Sequence, residues 1–514
     1  MCLKRLFIPV FLLQLILFLG GNALAQSQTT IEIVNSDVFL GDESLGKGVS
    51  LLKGNVAFRH RGALMYCDSA YLYQESNSLN AFGKVRILQG DTIKLTGSKL
   101  NYNGNSGLAV ITGQVVLTDR KTTLTSEELT YDMSKDLAFY LNRGALADGE
   151  NDLTSKRGYY YSKQSRVFFS DSVLLVNPKY RVVADSLSYL TKSATVLFSG
   201  PTRISSTGAD STWIQCENGF YDTKQSKSRF YRPNKVVSGS KLLSGDTLDF
   251  DNNTRKGRAS GRVLFSDTTQ SISISGDRGF SDEKKREAFV TGNAELIRYF
   301  DKDTLFLHAD TLYAREDTVA VTSSWIAIRN VRFYKSDLQG SCDSLSYSTP
   351  DSMLVMNYNP VLWSDSNQIT AGLIQMRLLD AGPQYMKLET DPFICSLVDS
   401  IHFNQISGRT MDGFFTDGSL TSVMVYGNGQ SVYFTEDKKG AITGVNVAEC
   451  SDMRILLVEQ KVSEIILINE PDATLYPLSE APQELLMLKG LDWKDSLRPK
   501  DRADIFKRNA SNLP

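Results

Sequence analysis

The stretch Val182-Val183-Ala184-Asp185-Ser186-Leu187-Ser188-Tyr189 ends in a six-residue phrase that decides the fold. The phrase is a small residue, an acid or serine, any residue, usually Leu or Gly, any residue, then usually Tyr or Phe. With its fourth position as a marker, ten copies lie at residues 70, 100, 129, 158, 187, 219, 248, 279, 312 and 345. Successive markers are 29 to 33 residues apart, so the chain is a repeat protein.

Each repeat has a second half in which a Gly or turn-like residue interrupts an apolar alternation. Gly83, for example, stands before Val85 and Ile87, and Gly113 stands before the next such pair. Apolar residues at every second position indicate strands rather than helices. Polar segments such as 74–78 separate the two halves and are typical of turns. Each repeat is therefore predicted to contain two extended runs joined by turns.

The small residue in the middle of each run is predicted to mark a bend, because Gly within a strand often lies at a corner. Runs that bend at equivalent positions would form two facing sheets about 10 Å apart. The predicted fold class is all-β, an elongated two-sheet β-jelly roll built from these repeats, with a short helical C-terminal tail. The alternative is a parallel β-solenoid, but turns every 10–15 residues favour reversing strands.

The two ends of the chain differ from the repeats. Lys4 and Arg5, an apolar run and the small residues around Leu24 predict a signal peptide over residues 1–25. The repeats are then expected over residues 26–355, a divergent continuation of the β-array over 356–470, and a tail over 471–514. Ser479–Leu486 reads as a capped helix that stops before Gly490, and residues 501–508 as another.

Composition and motifs give no sign of an enzyme. The chain has 56 Lys and Arg, 58 Asp and Glu, and only three His. A near-neutral balance argues against nucleic-acid binding, which needs a basic face. No nucleophile turn or phosphate-binding loop occurs, and His60, His308 and His402 share no ligand spacing. We expect no catalytic residue, metal or cofactor.

The cysteines and the periodic acids are both expected to be structural. Five Cys follow the predicted cleavage site, and four of them occupy the small position of the phrase, or its equivalent: Cys67, Cys216, Cys342 and Cys450. Disulfides need Cα atoms within about 7 Å, whereas these copies are too far apart, so we expect free thiols. Cys395 falls outside the pattern. The acid of the phrase recurs at Asp68, Asp185, Asp246, Asp277, Asp310 and Asp343, one per repeat, which favours a role at the corner.

The phrases 111–117, 182–189 and 290–296, together with the predicted signal peptide and the tail segment 472–477, resemble the OstA/LptA family of lipopolysaccharide-transport proteins. The resemblance implies an exported protein of the periplasm, associated with the outer membrane. It also implies lipopolysaccharide or lipid A as ligand, and other jelly-roll transport proteins as partners through strand-edge pairing. Head-to-tail self-association is a further expectation, with free edges expected near Ile31–Ile33 and Val423–Val425.

An apolar trough between the two sheets would shelter the acyl chains of such a lipid. Its candidate lining residues share the positions two and four after the corner: Val85, Ile87, Val115, Leu117, Val173, Leu175, Val263, Phe265 and Leu296. Equivalent positions in a regular sheet face the same way. The same residues would equally fill a closed core, and that alternative stays open. An exported β-solenoid that acts on or binds carbohydrate is the competing function.

Overall fold

The computed structural model describes residues 29–41, 46–120, 122–208, 211–317, 322–348, 351–379, 382–437, 440–458 and 461–508. The protein is all-β, with 71% strand and 2% helix, which confirms the predicted class. The predicted signal peptide lies outside the described residues. None of the described residues belongs to a helix long and apolar enough to cross a membrane.

The chain divides into two compact units, residues 1–142 and 143–514. The strands of the first unit are β1 (Glu32–Asn35), β2 (Val38–Gly41), β3 (Val49–His60), β4 (Ala63–Tyr73), β5 (Ser78–Gln89), β6 (Ile93–Asn103), β7 (Leu108–Asp119), β8 (Thr122–Asp132) and β9 (Leu137–Tyr140). Both β1 and β2 pair with β3, and from β3 to β9 each strand pairs with the next.

The second unit begins with strands that are mostly long. They are β10 (Gly144–Ala147), β11 (Asp152–Ser155), β12 (Arg157–Tyr161), β13 (Arg166–Val176), β14 (Tyr180–Leu190), β15 (Thr195–Ser206), β16 (Trp213–Asp222), β17 (Lys227–Ser238), β18 (Lys241–Ser244), β19 (Thr247–Asp251), β20 (Lys256–Asp267), β21 (Ile272–Asp282), β22 (Glu287–Tyr299), β23 (Thr304–Asp317), β24 (Thr322–Lys335) and β25 (Leu338–Ser348).

It continues with strands that are mostly short: β26 (Met353–Asn357), β27 (Val361–Ser364), β28 (Asn367–Thr370), β29 (Leu373–Leu379), β30 (Gly382–Glu389), β31 (Phe393–Leu397), β32 (Phe403–Ser407), β33 (Thr410–Thr416), β34 (Ser419–Glu436), β35 (Ile442–Val458), β36 (Lys461–Ile468) and β37 (Asp472–Pro477).

Every strand pairing described in either unit is antiparallel. Neighbouring long strands reverse through tight turns, so each repeat is a hairpin. The alternative of a parallel β-solenoid is therefore wrong. The turns between the extended runs are too short for the crossover that parallel strands require.

A β-bulge divides every second long strand into two halves. In β5 the register shifts between Phe82 and Val85, so that Gly83 and Lys84 lie opposite the single residue Asp68 of β4. Both bulge residues are left-handed, with φ of 75° and 44°. A bulge of this kind bends its strand. The corner predicted from the sequence thus corresponds to a bulge.

The periodic acid of the phrase packs on the bulge glycine. A Cβ at Gly83 would lie 2.5 Å from Oδ2 of Asp68, a separation that real Cβ atoms do not reach. The same overlap, at 2.3–2.6 Å, joins Gly54 to Asp37, Gly261 to Asp246 and Gly292 to Asp277, whereas a Cβ at Gly200 would lie 3.3 Å from Asp185. Each glycine therefore meets two requirements, a left-handed backbone and room for the neighbouring acid.

The bulges continue beyond residue 355, where the sequence phrase weakens. Pairs of left-handed residues recur at Tyr358–Asn359, Thr390–Asp391, Gly427–Asn428 and Asn469–Glu470. The first and fourth pairs separate short strands that pair with the two halves of one neighbour, as β26 and β27 do with β25. The hairpin plan therefore extends to β37, and only its sequence signature is lost.

The C-terminal tail is a strap and not a pair of helices. Residues 478–508, here called the strap, contain three single 3-10 turns at Gln483–Leu485, Asp495–Leu497 and Ala503–Phe506. The predicted helix over Ser479–Leu486 is thus reduced to one turn, and Pro482 at its start makes no side-chain cap.

Buried glutamines of the sheet bind the strap backbone. Gln368 in β28, 1% exposed, donates from Nε2 to the carbonyl of Asp492 (2.8 Å) and accepts from the N–H of Lys494 (2.6 Å). Gln405 in β32 repeats this pair of bonds with Leu486 and Leu488, at 2.8 Å each. An amide bonded in this way pairs a carbonyl and an N–H that would otherwise be buried without partners.

The far end of the strap is held by charge. Arg502 forms a two-pronged ion pair with Glu295 of β22, at 2.6 and 2.7 Å. Beside it the ring of Phe506 lies 4.7 Å from that of His308. The strap therefore crosses the outer face of the sheet from β34 back to β22. It buries Cys395, which is 1% exposed and lies directly opposite Gln368, and this burial explains the cysteine outside the repeat pattern.

We expect Gly83→Ala to destabilise the protein by about 1–3 kcal/mol more than Gly62→Ala. The two glycines have the same backbone strain (φ 75° and 76°), but a Cβ at Gly62 meets nothing within 4 Å. Denaturant unfolding measures the difference. Adding Asp68→Ala to Gly83→Ala should recover most of it, and equal destabilisation by the two single variants would contradict the packing of acid on glycine.

We expect Gln368→Met to loosen the strap, because it leaves the carbonyl of Asp492 and the N–H of Lys494 buried without partners. Burial raises the pKa of Cys395 to about 12, so its thiol should react slowly with maleimide at neutral pH. In Gln368→Met the reaction should be about tenfold faster, for a local cost of 1–3 kcal/mol. The control is Gln375→Met, on the outer face of β29. An unchanged labelling rate in Gln368→Met would show that this glutamine does not hold the strap.

Candidate functional site

The candidate site is the inner face of the sheet, the face that carries the buried side chains of both strand halves. Seven of the nine residues predicted to line a trough are 0–3% exposed: Val85, Ile87, Val115, Leu117, Val173, Leu175 and Val263. Phe265 and Leu296 are only partly buried. The predicted set is thus on one face, but its members differ in their access to solvent.

One position on the inner face lies four residues after the bulge glycine or its equivalent. The exposed fraction of the side chain at this position changes from strand to strand along the second unit. Leu175 in β13 is 3% exposed and Phe333 in β24 is 4% exposed. The strands between them carry half-buried residues at this position: Ile204 in β15, Val236 in β17, Phe265 in β20 and Leu296 in β22. We call these four residues the inner-face opening.

The other half of the same strands opens through a loss of side-chain volume. At the equivalent position near the start of each strand, Val167 and Val196 are followed by Ser228, Gly257 and Ala288. Val167 is 0% exposed, Val196 3% and Ser228 9%, and Ala288 is exposed. Smaller side chains on one half leave the apolar residues of the other half incompletely covered.

Two polar residues lie beside the inner-face opening, each two positions before one of its members. Thr202 and Asn234 stand where Val173 and Val263 stand in other repeats, and they are 2% and 7% exposed. Asn234 Oδ1 accepts a hydrogen bond from the N–H of Gly245 at 3.3 Å, and its Nδ2 donates to the carbonyl of Phe230 at 3.3 Å. Both polar side chains are satisfied internally, since Thr202 donates to the carbonyl of Gly200.

The cysteines are inert parts of the packing. All five in the described residues are free thiols, as predicted, and Cys67, Cys216, Cys342 and Cys450 lie beside bulges. Burial raises the pKa of Cys67 and of Cys216 to about 11. A thiol that stays protonated at neutral pH is a poor nucleophile and a poor metal ligand.

The histidines occupy three separate places. His60 is bonded to the hydroxyl of Tyr102 at 2.5 Å, His308 lies under the strap, and His402 binds Asp399 at 2.7 Å. Over the described ranges no three His, Cys, Asp or Glu side chains are placed to hold a metal ion. The structure thus brings none of the histidines together.

The outer face of β12–β14 carries a shallow groove of about 530 Å³. Tyr159, Tyr161 and Phe168 form its apolar part, and the ring centroids of Tyr159 and Phe168 are 6.2 Å apart. Asp171 and Asp185 add carboxylates beside them. Sequence reasoning missed this cluster, because its members come from different strands and are adjacent only through the register.

Comparison with known proteins identifies a family over part of the chain. Residues 28–185 match the model of the family described as OstA-like protein. Over this stretch the chain is similar to that family. The match covers the first repeats, including the phrase 111–117 and the start of 182–189, two of the three phrases on which the resemblance was predicted. No curated protein matches the chain.

A solved structure also aligns with the chain. It is the crystal structure of LptH, the LptA-homologous periplasmic component of the lipopolysaccharide transport device of Pseudomonas aeruginosa. The alignment has 19% sequence identity, covers 20% of this chain and 79% of that chain, and has a TM-score of 0.19.

Proposed function

We propose that the protein is a periplasmic bridge component of lipopolysaccharide transport to the outer membrane, and that its inner face shelters the acyl chains. The observation that carries the proposal is the inner-face opening, a set of apolar side chains left partly uncovered within an otherwise closed interior. The OstA-like match over residues 28–185 supports the same function. No catalytic residue or cofactor is part of this proposal.

The proposed shelter needs the two halves of each strand to belong to two facing sheets, as in a β-jelly roll. The bulges support this arrangement because each one bends its strand. Leu307 and Leu312, on opposite sides of the β23 irregularity, belong to one buried cluster. Gly279 and Val263, from opposite halves of neighbouring strands, approach so closely that a Cβ on the glycine would lie 3.2 Å from the valine.

Burial of the acyl chains supplies the affinity in this proposal. Each CH₂ removed from water contributes about 0.8 kcal/mol, so a lipid with several chains cannot cross an aqueous compartment unprotected. The sugar headgroup would stay in water outside the opening. Nothing in this process requires bond chemistry, and the energy for directed movement would come from another component.

The proposed partners bind at free strand edges. β1 and β2 have a described partner only in β3, and they expose Val34, Val38, Phe39 and Leu40 by 43–53%. The expected edge at Val423–Val425 is wrong, because β34 is paired on both sides by β33 and β35. In the second unit β36 and β37 pair only with β35 among the described pairings. Such edges accept a further strand.

Carbohydrate binding is the second candidate function, and the groove of Tyr159, Tyr161 and Phe168 favours it. Aromatic faces beside carboxylates and hydroxyls suit a sugar, which presents both C–H and O–H groups. This function would use the outer face and leave the inner face as a plain core. Tyr159→Ala should therefore reduce glycan binding under this candidate and leave lipid capture unchanged under the proposed function.

We expect a charge in the inner-face opening to reduce lipid binding without unfolding the protein. Phe265→Asp places its carboxylate where water reaches, so it should lower the free energy of unfolding less than half as much as Val115→Asp. The latter buries an unpaired charge at a 1%-exposed site and should cost several kcal/mol. Thermal unfolding and photo-crosslinking to lipopolysaccharide measure the two effects.

The matched control is Ser266→Asp, which adds the same charge to the adjacent residue on the outer face. It should crosslink lipid as strongly as the parent. Undiminished crosslinking by a folded Phe265→Asp protein would remove the inner-face opening as the lipid site.

We expect photo-crosslinkers at Phe39 and Leu475, both on edge strands and 53% and 62% exposed, to capture envelope proteins or a second copy in cells. The control position is Tyr231, which is 42% exposed on the outer face of β17, a strand paired on both sides. Capture at Tyr231 alone would contradict edge pairing and indicate contact through side chains.

A further inference from the structure

Two cations flank an indole on the outer face of the second unit. The guanidinium of Arg203 lies 4.4 Å from the centre of the Trp213 ring, and Nζ of Lys235 lies 5.7 Å from it. Arg203 and Lys235 stand on either side of Gln215 in the register of β15, β16 and β17. Arg181 lies in the next strand, β14, opposite Ser205, which itself lies opposite Trp213. Arg181, Arg203, Trp213 and Lys235 are here called the cationic patch.

The cations of this patch contrast with those that carboxylates neutralise on the same sheet. Arg229, for example, pairs with Asp249, and Arg157 pairs with Asp171. Among the described residues Arg181, Arg203 and Lys235 form no ion pair, and all three are exposed. The protein thus presents three uncompensated positive charges on one face, although its net charge is −2.

Exposed aliphatic side chains lie between and beside these charges. Val183 is 49% exposed and stands directly opposite Arg203. Val176 is 41% exposed and stands opposite Arg181, and Leu264 on β20 is 37% exposed. The strap does not cover them, because its contacts on this face end at Glu295 and His308.

We propose that the cationic patch binds the surface of an anionic lipid bilayer. Trp is favoured at the boundary between headgroups and acyl chains, and Lys and Arg near an anionic surface each add to the attraction. The aliphatic side chains supply apolar area that the headgroup region accepts. Charge complementarity favours an anionic bilayer as the binding partner of the patch. The protein as a whole has a net negative charge, so an anionic surface attracts the patch and repels the rest of the protein.

A bilayer fits the patch better than an acidic protein segment does. The backbone of β14 to β17 is paired on both sides, so an added strand finds no free N–H or C=O there. Contact must therefore occur through side chains alone. A fluid surface of many phosphates engages scattered cations without a matching shape, whereas a peptide would need one.

The patch and the inner-face opening lie on opposite faces of the sheet and share the strands β15 and β17. Docking by the patch would hold the opening close to the membrane from which a lipid enters or into which it leaves. This consequence rests on the proposed function, but binding of the patch to a bilayer does not. Vesicles free of lipopolysaccharide therefore test the patch by itself.

The test is co-sedimentation of the mature full-length protein with vesicles of phosphatidylglycerol and phosphatidylcholine, against vesicles of phosphatidylcholine alone. We expect binding only to the anionic vesicles, weakened by salt, with a blue shift of tryptophan emission that Trp213→Phe removes. Arg203→Ala and Lys235→Ala should each lower the partition coefficient about fivefold. Arg229→Ala, a paired cation on the same strand as Lys235, should change it less than twofold.

Two results would overturn the proposal. One is equal sedimentation of the parent and the Arg203→Ala/Lys235→Ala double variant with anionic vesicles. The other is no binding to those vesicles at low salt, together with salt-sensitive retention on an immobilised acidic peptide, which would assign the patch to an acidic protein segment. Since the replaced side chains are exposed and outside the core, unchanged thermal unfolding should accompany each variant.

Discussion

The structure depends on one local constraint, the β-bulge in which two residues, at most of the bulges a left-handed pair, lie opposite a single residue of the neighbouring strand. The bulge adds one residue to one strand of each hairpin, so the inner-facing positions of the partner strand change parity, as from Cys67 to Ala70 in β4. Without that change one half of each strand would turn its apolar residues outward. Because Asp68 fills the space beside Gly83, a Cβ at position 83 would overlap the Asp68 side chain. The hairpin plan therefore recurs wherever this pair of positions recurs.

The strap covers apolar side chains that part of the second unit carries on its outer face. Val361, Trp363, Phe393 and Cys395 are 0–6% exposed on that face, and they would meet water if the strap were absent. Farther along the same face, Ser273 and Ser275 need no cover. The strap binds through buried amides at Gln368 and Gln405 rather than through helical packing, which keeps its backbone extended and lets it span many strands. Its extent thus matches the extent of the apolar outer surface.

The repeat, the all-β class and the bend could be predicted because each is encoded locally, by alternation with period two and by a small residue with a left-handed backbone. The strap could not, since Ser479–Leu486 has a helix-like pattern, whereas its place on the sheet depends on long-range bonds such as that from Gln405 to the Leu486 carbonyl. Cys395 had no explanation for the same reason. The inner-face opening depends on which side chains face each other across the bend. The sequence did contain a signal, because side-chain volume decreases at one repeat position from Val196 to Ser228, Gly257 and Ala288. Its meaning becomes clear only when the strand register is known.

The proposed function must account for the inner-face opening, which lies between β15 and β22. Beyond it, the inner face from β26 to β35 is closed by methionines, with Met356, Met376, Met386, Met411 and Met453 each 0–2% exposed within one cluster. Methionine has three rotatable bonds and a polarizable sulfur, so a core built from it repacks more readily than one built from branched residues. On the other side of the opening, β13 closes the inner face with Val167, Phe169 and Val173, which are stiffer. In the proposed function, an acyl chain that enters at the opening would find the more deformable core on the methionine side, and the direction of its movement would still depend on energy from another component.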